Sequence, residues 1–284
     1  MKEYTLSGKT GSIWTIGSII AIPLSIVLSL VYAYINYYNP LPYFTVMAWV
    51  MYLALIITVI KIATKGAKCR NTTSVSLFGL MIGILSLHLS WATFCYVFAN
   101  ANPELGMSFE LTDVLFNPFI GLVASATLAE TGWYSIFGYT PTGIIAWLIF
   151  LIEGGGLVFA GFTGGLSVLH EEIFCEDCNQ WTTDLNYDMR ITIPEQSTLE
   201  AALNGDVETL LTCSETPKET SHHLRLNLHQ CESCKNLATL DFDLIKVSLN
   251  DKNELEEDAK DLSKVFILNT DLFTKFINKE FSST

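Results

Sequence analysis

Charge is scarce in this chain. Asp, Glu, Lys and Arg make up 16% of its 284 residues, while hydrophobic residues make up 50%. Mean hydropathy is +0.37, too high for a chain that is solvated throughout. Basic residues are scarcer than acidic ones, 16 against 29. A chain with that balance has little to neutralise phosphate backbones, so nucleic acid is excluded as an expected partner, and anionic lipid headgroups repel its acidic part. The short catalytic signatures are missing as well. There is no His-Glu-x-x-His, no phosphate loop, no Gly-x-Ser-x-Gly and no dinucleotide fingerprint. Their absence removes the common metallopeptidase, nucleotidase, hydrolase and dehydrogenase readings. No internal repeat or low-complexity segment is evident.

What charge there is lies at one end. Residues 1–169 carry six basic and six acidic residues; residues 170–284 carry ten and 23, which is the whole net charge of −13. The first part is expected to be a transmembrane helical domain and the second an acidic soluble domain. Four stretches, about 13–35, 43–63, 74–99 and 142–169, are long and apolar enough to cross a bilayer. The first is too long for a cleavable signal and no small-residue cleavage site follows it. Tyr34, Tyr37, Tyr38 and Tyr43 flank the turn at residues 39–42 as an interfacial aromatic belt. Lys61, Lys65, Lys68 and Arg70 form the strong basic cluster, between spans two and three, while residues 100–141 hold Glu104, Glu110, Asp113 and Glu130 and no Lys or Arg. The positive-inside rule then places both termini in the cytoplasm, as in a bacterial inner membrane. Asn71-Thr-Thr73 reads as a chance glycosylation triplet on that side. Residues 114–129 are apolar but short, and contain Asn117-Pro118; they read as a re-entrant or interfacial segment, with a fifth span as the alternative.

Two polar residues lie inside spans. Glu153 in span four and His88 in span three are each 11 residues from the outer end of their span, about 16 Å deep at 1.5 Å per residue, so they can face each other. An intramembrane carboxylate marks either a functional site or a hydrogen-bonded lock between helices. Gly161-x-x-x-Gly165 in the same span favours close helix packing, within the bundle or in a homo-oligomer.

The second half carries Cys175-Glu-Asp-Cys178 and Cys231-Glu-Ser-Cys234. Two such pairs supply the four thiolates of a tetrahedral zinc ion; redox pairs and unmetallated core cysteines are the competing readings. The gap of 52 residues between the pairs is longer than the usual 15–20 and leaves Cys213, His222, His223 and His229 as spare donors. Strands are expected over 187–193, 223–229 and 240–249, each alternating apolar with polar residues. Ser197-Thr-Leu-Glu200 reads as a capping box opening a helix that Gly205-Asp206 breaks. After an acidic run at 254–258, two short amphipathic helices are expected, one through Leu262, Val265 and Phe266, the other from an Asp271 cap.

The succession of strand, Cys-x-x-Cys knuckle and strand resembles zinc-ribbon domains over about residues 172–250, and the layout resembles bacterial multi-pass membrane proteins. The resemblance implies a structural zinc ion, and four sulfurs leave no open position for a catalytic water. The expected fold is thus a bundle of four transmembrane helices followed by a small α+β zinc-ribbon-like domain. The expected function is a membrane-anchored adaptor, scaffold or sensor that oligomerises and recruits a cytoplasmic protein partner. A transporter, channel or pore-forming effector, or a membrane enzyme, would instead use Glu153 and His88.

Overall fold

The chain folds as two units, Gly8–Glu171 and a second made of Met1–Ser7 together with Glu172–Thr284. The computed structural model describes residues 1–39, 41–103, 110–132, 140–185, 189–249, 255–262 and 264–281.

The first unit is helical. It comprises α1 (Ser18–Tyr38), preceded by a π-helical stretch at Ile13–Gly17, then α2 (Pro42–Gly66), α3 (Thr72–Ala101), α4 (Leu111–Phe116), α5 (Pro118–Thr131), α6 (Ile144–Gly164) and α7 (Leu166–Glu171). Four segments are long and apolar enough to cross a membrane: Ile13–Tyr38, Phe44–Gly66, Thr72–Ala101 and Ile144–Glu171. They match the four stretches read from hydropathy and run a few residues further at their C-terminal ends. The 14 residues of α5 span about 21 Å, short of a roughly 30 Å hydrocarbon core. Asn117 separates α5 from α4 and caps it, its side chain accepting the Phe119 N–H with Pro118 in the first turn.

Of the four long helices α3 is the most buried, and it packs on α1 and α6. Where Gly79 and Gly83 meet Gly161 of α6, no side chains lie between the backbones. A Cβ on Gly79 would collide with the Gly161 carbonyl oxygen, and one on Gly161 would sit 2.5 Å from the Gly79 carbonyl oxygen. Gly161 of α6 is therefore used within the bundle, the close approach that glycine permits. Asn71 is an N-cap: its side chain accepts the Ser74 N–H at 2.8 Å and donates to the Gly8 carbonyl at 2.9 Å. Lys61 pairs with Glu171 at 3.2 Å.

The second unit is built on a seven-stranded sheet in which the described pairings are antiparallel. Its elements are β1 (Lys2–Glu3), β2 (Phe174–Cys175), β3 (Gln180–Trp181), β4 (Thr183–Asp184), β5 (Met189–Ile191), α8 (Gln196–Leu203), a 3-10 turn (Val207–Thr212), β6 (His222–Gln230), β7 (Ala238–Leu249), β8 (Leu255–Asp261), β9 (Phe266–Leu268) and α9 (Thr270–Phe281). β2 and β3 form a separate hairpin. β6 and β7 pair over their lengths, Leu224 opposite Leu244 and Leu228 opposite Leu240. One face of this pair buries Leu224, Leu226, Leu228, Leu240 and Phe242, the period-two pattern read from the sequence. α9 covers that face with Leu272, Phe273 and Phe276, and the 3-10 turn adds Val207 and Leu210. Burying a side chain such as Phe276 stabilises by about 2–3 kcal/mol.

Several elements differ from the expectations. Met1–Ser7 does not belong with the helices, because Lys2 and Glu3 pair with Ile267 and Phe266 of β9. Phe266 lies in a strand rather than a helix, paired with Leu240. The described part of the acidic run forms β8, with Asp258 opposite Lys246 and Glu257 opposite Val247; Glu254 is outside the described residues, as is Tyr187. The last helix is capped by Asn269, whose side chain accepts the Leu272 N–H at 2.8 Å, not by Asp271. α8 begins at Gln196, so Ser197 sits inside its first turn.

Lys279 of α9 donates to the carbonyls of Leu210, Leu211 and Cys213 at 3.3, 2.8 and 2.5 Å. These carbonyls end the 3-10 turn, where that of Leu210 also accepts the Cys213 N–H at 3.2 Å. Lys279→Met should keep the stem and lose the charged donor, at a cost of about 1.5–3 kcal/mol. Chemical denaturation of the second unit should show this as a lower midpoint at unchanged slope; an unchanged midpoint would remove this tie.

Candidate metal centre

Each Cys-x-x-Cys pair sits in the turn of a hairpin. Cys175 ends β2 and Cys178 lies in the turn before β3; Cys231 and Cys234 lie in the turn between β6 and β7. The residue after each pair is left-handed, Asn179 with φ 51° and Lys235 with φ 54°. In the second turn the Lys235 N–H donates to the Cys231 carbonyl and the Cys231 N–H to the Leu237 carbonyl, both at 2.9 Å. The two turns are thus local copies of one another, with the first cysteine buried and the second half-buried in each.

The turns bring four sulfurs together. The thiols of Cys175, Cys178, Cys231 and Cys234 lie within 4.8 Å of one another, and the Cys175 and Cys234 sulfurs are 3.7 Å apart. A zinc–sulfur bond of about 2.3 Å makes the edge of a regular tetrahedron about 3.8 Å. A disulfide would hold two sulfurs at about 2.05 Å, and all seven cysteines are free. The spacing is therefore compatible with four ligands around one ion. Four thiolates favour zinc over hard cations, which take oxygen ligands.

The surroundings favour thiolate in the second turn. Burial pushes the Cys231 thiol up, but the Cys234 and Ser233 N–H groups and the neighbouring thiols outweigh it and hold it at about 6. The Asn236 and Leu237 N–H groups hold Cys234 down. The neighbouring Cys234 thiol leads the effects that push Cys178 up to about 12. Gln180 donates its amide to the Cys231 sulfur at 3.4 Å. The first turn is braced by Tyr4, whose hydroxyl accepts the Phe174 N–H at 3.0 Å and donates to the Phe174 carbonyl at 3.2 Å. Trp181 packs edge-on against Phe174, ring centroids 5.0 Å apart. Nothing near Tyr4 in the sequence marks it as part of this site.

The spare donors stand apart from the thiol cluster. His229 sits 3.7 Å from the Asp241 carboxylate; burial lowers its pKa, but that carboxylate reverses the effect and holds it above its usual value. His223 is buried, with Nδ1 3.2 Å from the Thr220 carbonyl. His222 lies 3.4 Å from Ser221. Cys213 packs against the hydrophobic core.

The two polar residues of the spans have separate partners. Tyr32 of α1 donates to Glu153 at 2.6 Å. The Tyr32 ring stacks on Tyr52 at 4.3 Å between centroids, and the Tyr52 hydroxyl lies 2.7 Å from Ser29 and donates to the Ser86 carbonyl at 3.1 Å. His88 instead lies 2.8 Å from the Leu115 carbonyl. A carbonyl only accepts, so Nε2 carries the proton, and His88 satisfies a carbonyl in the last turn of α4. His88 and Glu153 thus have different hydrogen-bond partners. No family model, curated protein or solved structure matches this chain, so function is argued from these residues.

Proposed function

We propose that this is an integral membrane protein whose acidic C-terminal domain is folded around a structural zinc ion in a zinc-ribbon-like site, and which acts as a membrane-anchored adaptor or sensor for a cytoplasmic protein partner. The observation that carries the reading is the set of four convergent thiols on two hairpin turns. Four sulfurs close the coordination shell and leave no place for a reacting water, so the ion serves folding. Pairing of β1 with β9 supports an even number of crossings, because both ends of the helical unit must then lead to one side. Four spans satisfy that and five do not. The basic loop at Lys61, Lys65, Lys68 and Arg70 argues that this side is the cytoplasm. Gly161 already packs on α3, so a homo-oligomer would use another face of the bundle.

Transport is the second reading, favoured because Glu153 lines a cavity inside the helical unit. Proteoliposomes separate the two. On the adaptor reading the purified chain passes no protons or ions, and site-specific crosslinking from the acidic domain in cells captures a partner whose yield falls when the thiol site is removed. Flux through the wild-type chain that Glu153→Gln abolishes would replace the adaptor reading with transport.

A further inference from the structure

The helical unit holds a partly open cavity of about 240 Å³, to which α1, α2, α3, α5 and α6 contribute. Its walls are of two kinds. Trp91 and Phe150, with ring centroids 5.1 Å apart, together with Phe94 form an aromatic side. Glu153, Tyr32 and Asn36 form a polar side. Tyr32 occupies one carboxylate oxygen of Glu153, and the other has no protein hydrogen-bond partner among the described residues. The Asn36 side-chain oxygen and the Trp91 indole N–H are buried without a hydrogen-bond partner. In a cavity wall such groups offer a bound molecule one acceptor and one donor.

Charge identifies the ligand class. No Lys or Arg occurs between Arg70 and Arg190, and Glu153 is the one carboxylic acid, with no basic residue beside it, among the described residues lining the cavity. A carboxylate at this depth is costly without a counter-charge, and the protein supplies none. Calcium and magnesium ions take six or more oxygen ligands, several of them anionic, and Glu153 is the one carboxylate in the described lining. An ammonium group on an apolar body matches both sides, ion-paired at one end and packed on aromatic faces at the other. We propose that this cavity is a binding site for a small amphipathic amine, its ammonium on Glu153 and its body against Trp91, Phe94 and Phe150. The proposal stands apart from the zinc domain and holds for an adaptor, a sensor or a transporter.

The test uses the full chain in lipid nanodiscs, with phenethylamine and its neutral analogue phenethyl alcohol, by equilibrium dialysis. The amine should bind saturably, at least tenfold more tightly than the alcohol. Glu153→Gln should lower amine affinity at least tenfold and leave the alcohol unaffected, while Trp91→Leu should weaken both. Equal binding of amine and alcohol by the wild-type chain, or no saturable amine binding up to millimolar concentration, would overturn the site. That wild-type comparison decides the matter even where a variant fails to fold; a folded Glu153→Gln chain that binds the amine unchanged would overturn it too, leaving Glu153 as a hydrogen-bonded tie to Tyr32.

Discussion

Replacing Cys231 and Cys234 together by serine should abolish metal binding and unfold the C-terminal unit while the helical unit remains inserted. The two residues close the turn between β6 and β7, the longest pair in the sheet. Structural zinc contributes about 10–16 kcal/mol in small sites, comparable to the whole stability of a domain, about 5–15 kcal/mol. Serine hydroxyls do not ionise near neutral pH and bind zinc poorly, so the loss is close to complete. The same result should follow from a strong chelator on the wild-type chain, and readdition of zinc should reverse it. Circular dichroism of the separately resolved β signal, with limited proteolysis, gives the readout: the sheet should lose its cooperative melt and residues 172–281 should become protease-sensitive. A double variant that melts like the wild type would show that the sheet stands on its hydrophobic core alone.

Gly79→Val should disrupt the helical unit. The added Cβ would enter the space of the Gly161 carbonyl oxygen, and backbone cannot swing aside as a side-chain tip can. The helices must separate, forfeiting contacts along the α3–α6 crossing, at a cost of about 3 kcal/mol or more. Gly155 is the matched control. It lies six residues before Gly161 on the same helix, is exposed, and a Cβ there meets nothing within 4 Å. Gly155→Ala should be neutral or stabilise by about 0.5–1 kcal/mol. Thermal melts in detergent should separate the pair widely; two variants that melt alike would contradict the close backbone crossing.

Much of this architecture was legible in the sequence, and the reason differs from part to part. The spans follow from unbroken apolar length, and the thiol cluster from the two Cys-x-x-Cys spacings, because both signals are local. Leu224, Leu226 and Leu228 gave β6 by simple alternation. What was illegible depends on partners distant in sequence. Lys2 and Glu3 carry no strand signal and become β1 only through the edge that β9 offers. The 255–261 segment is acidic, with poor strand propensity, yet β7 extends past β9 and its free edge recruits it. Leu262, Val265 and Phe266 have helical spacing, but short apolar runs are ambiguous and sheet pairing decided for Phe266. Equal depth suggested that Glu153 and His88 face each other; depth along a helix says nothing of rotation about it, and Tyr32 holds Glu153 instead.

The measurement that bears most directly on the central claim is the metal content of the purified full-length chain, by elemental analysis, together with its reactive thiol count before and after chelation under denaturing conditions. The account predicts one zinc per chain, no disulfide, and four thiols that become reactive only when the metal is removed. A metal-free chain with Cys175, Cys178, Cys231 and Cys234 oxidised, or with all four freely reactive while the sheet stays folded, would contradict it.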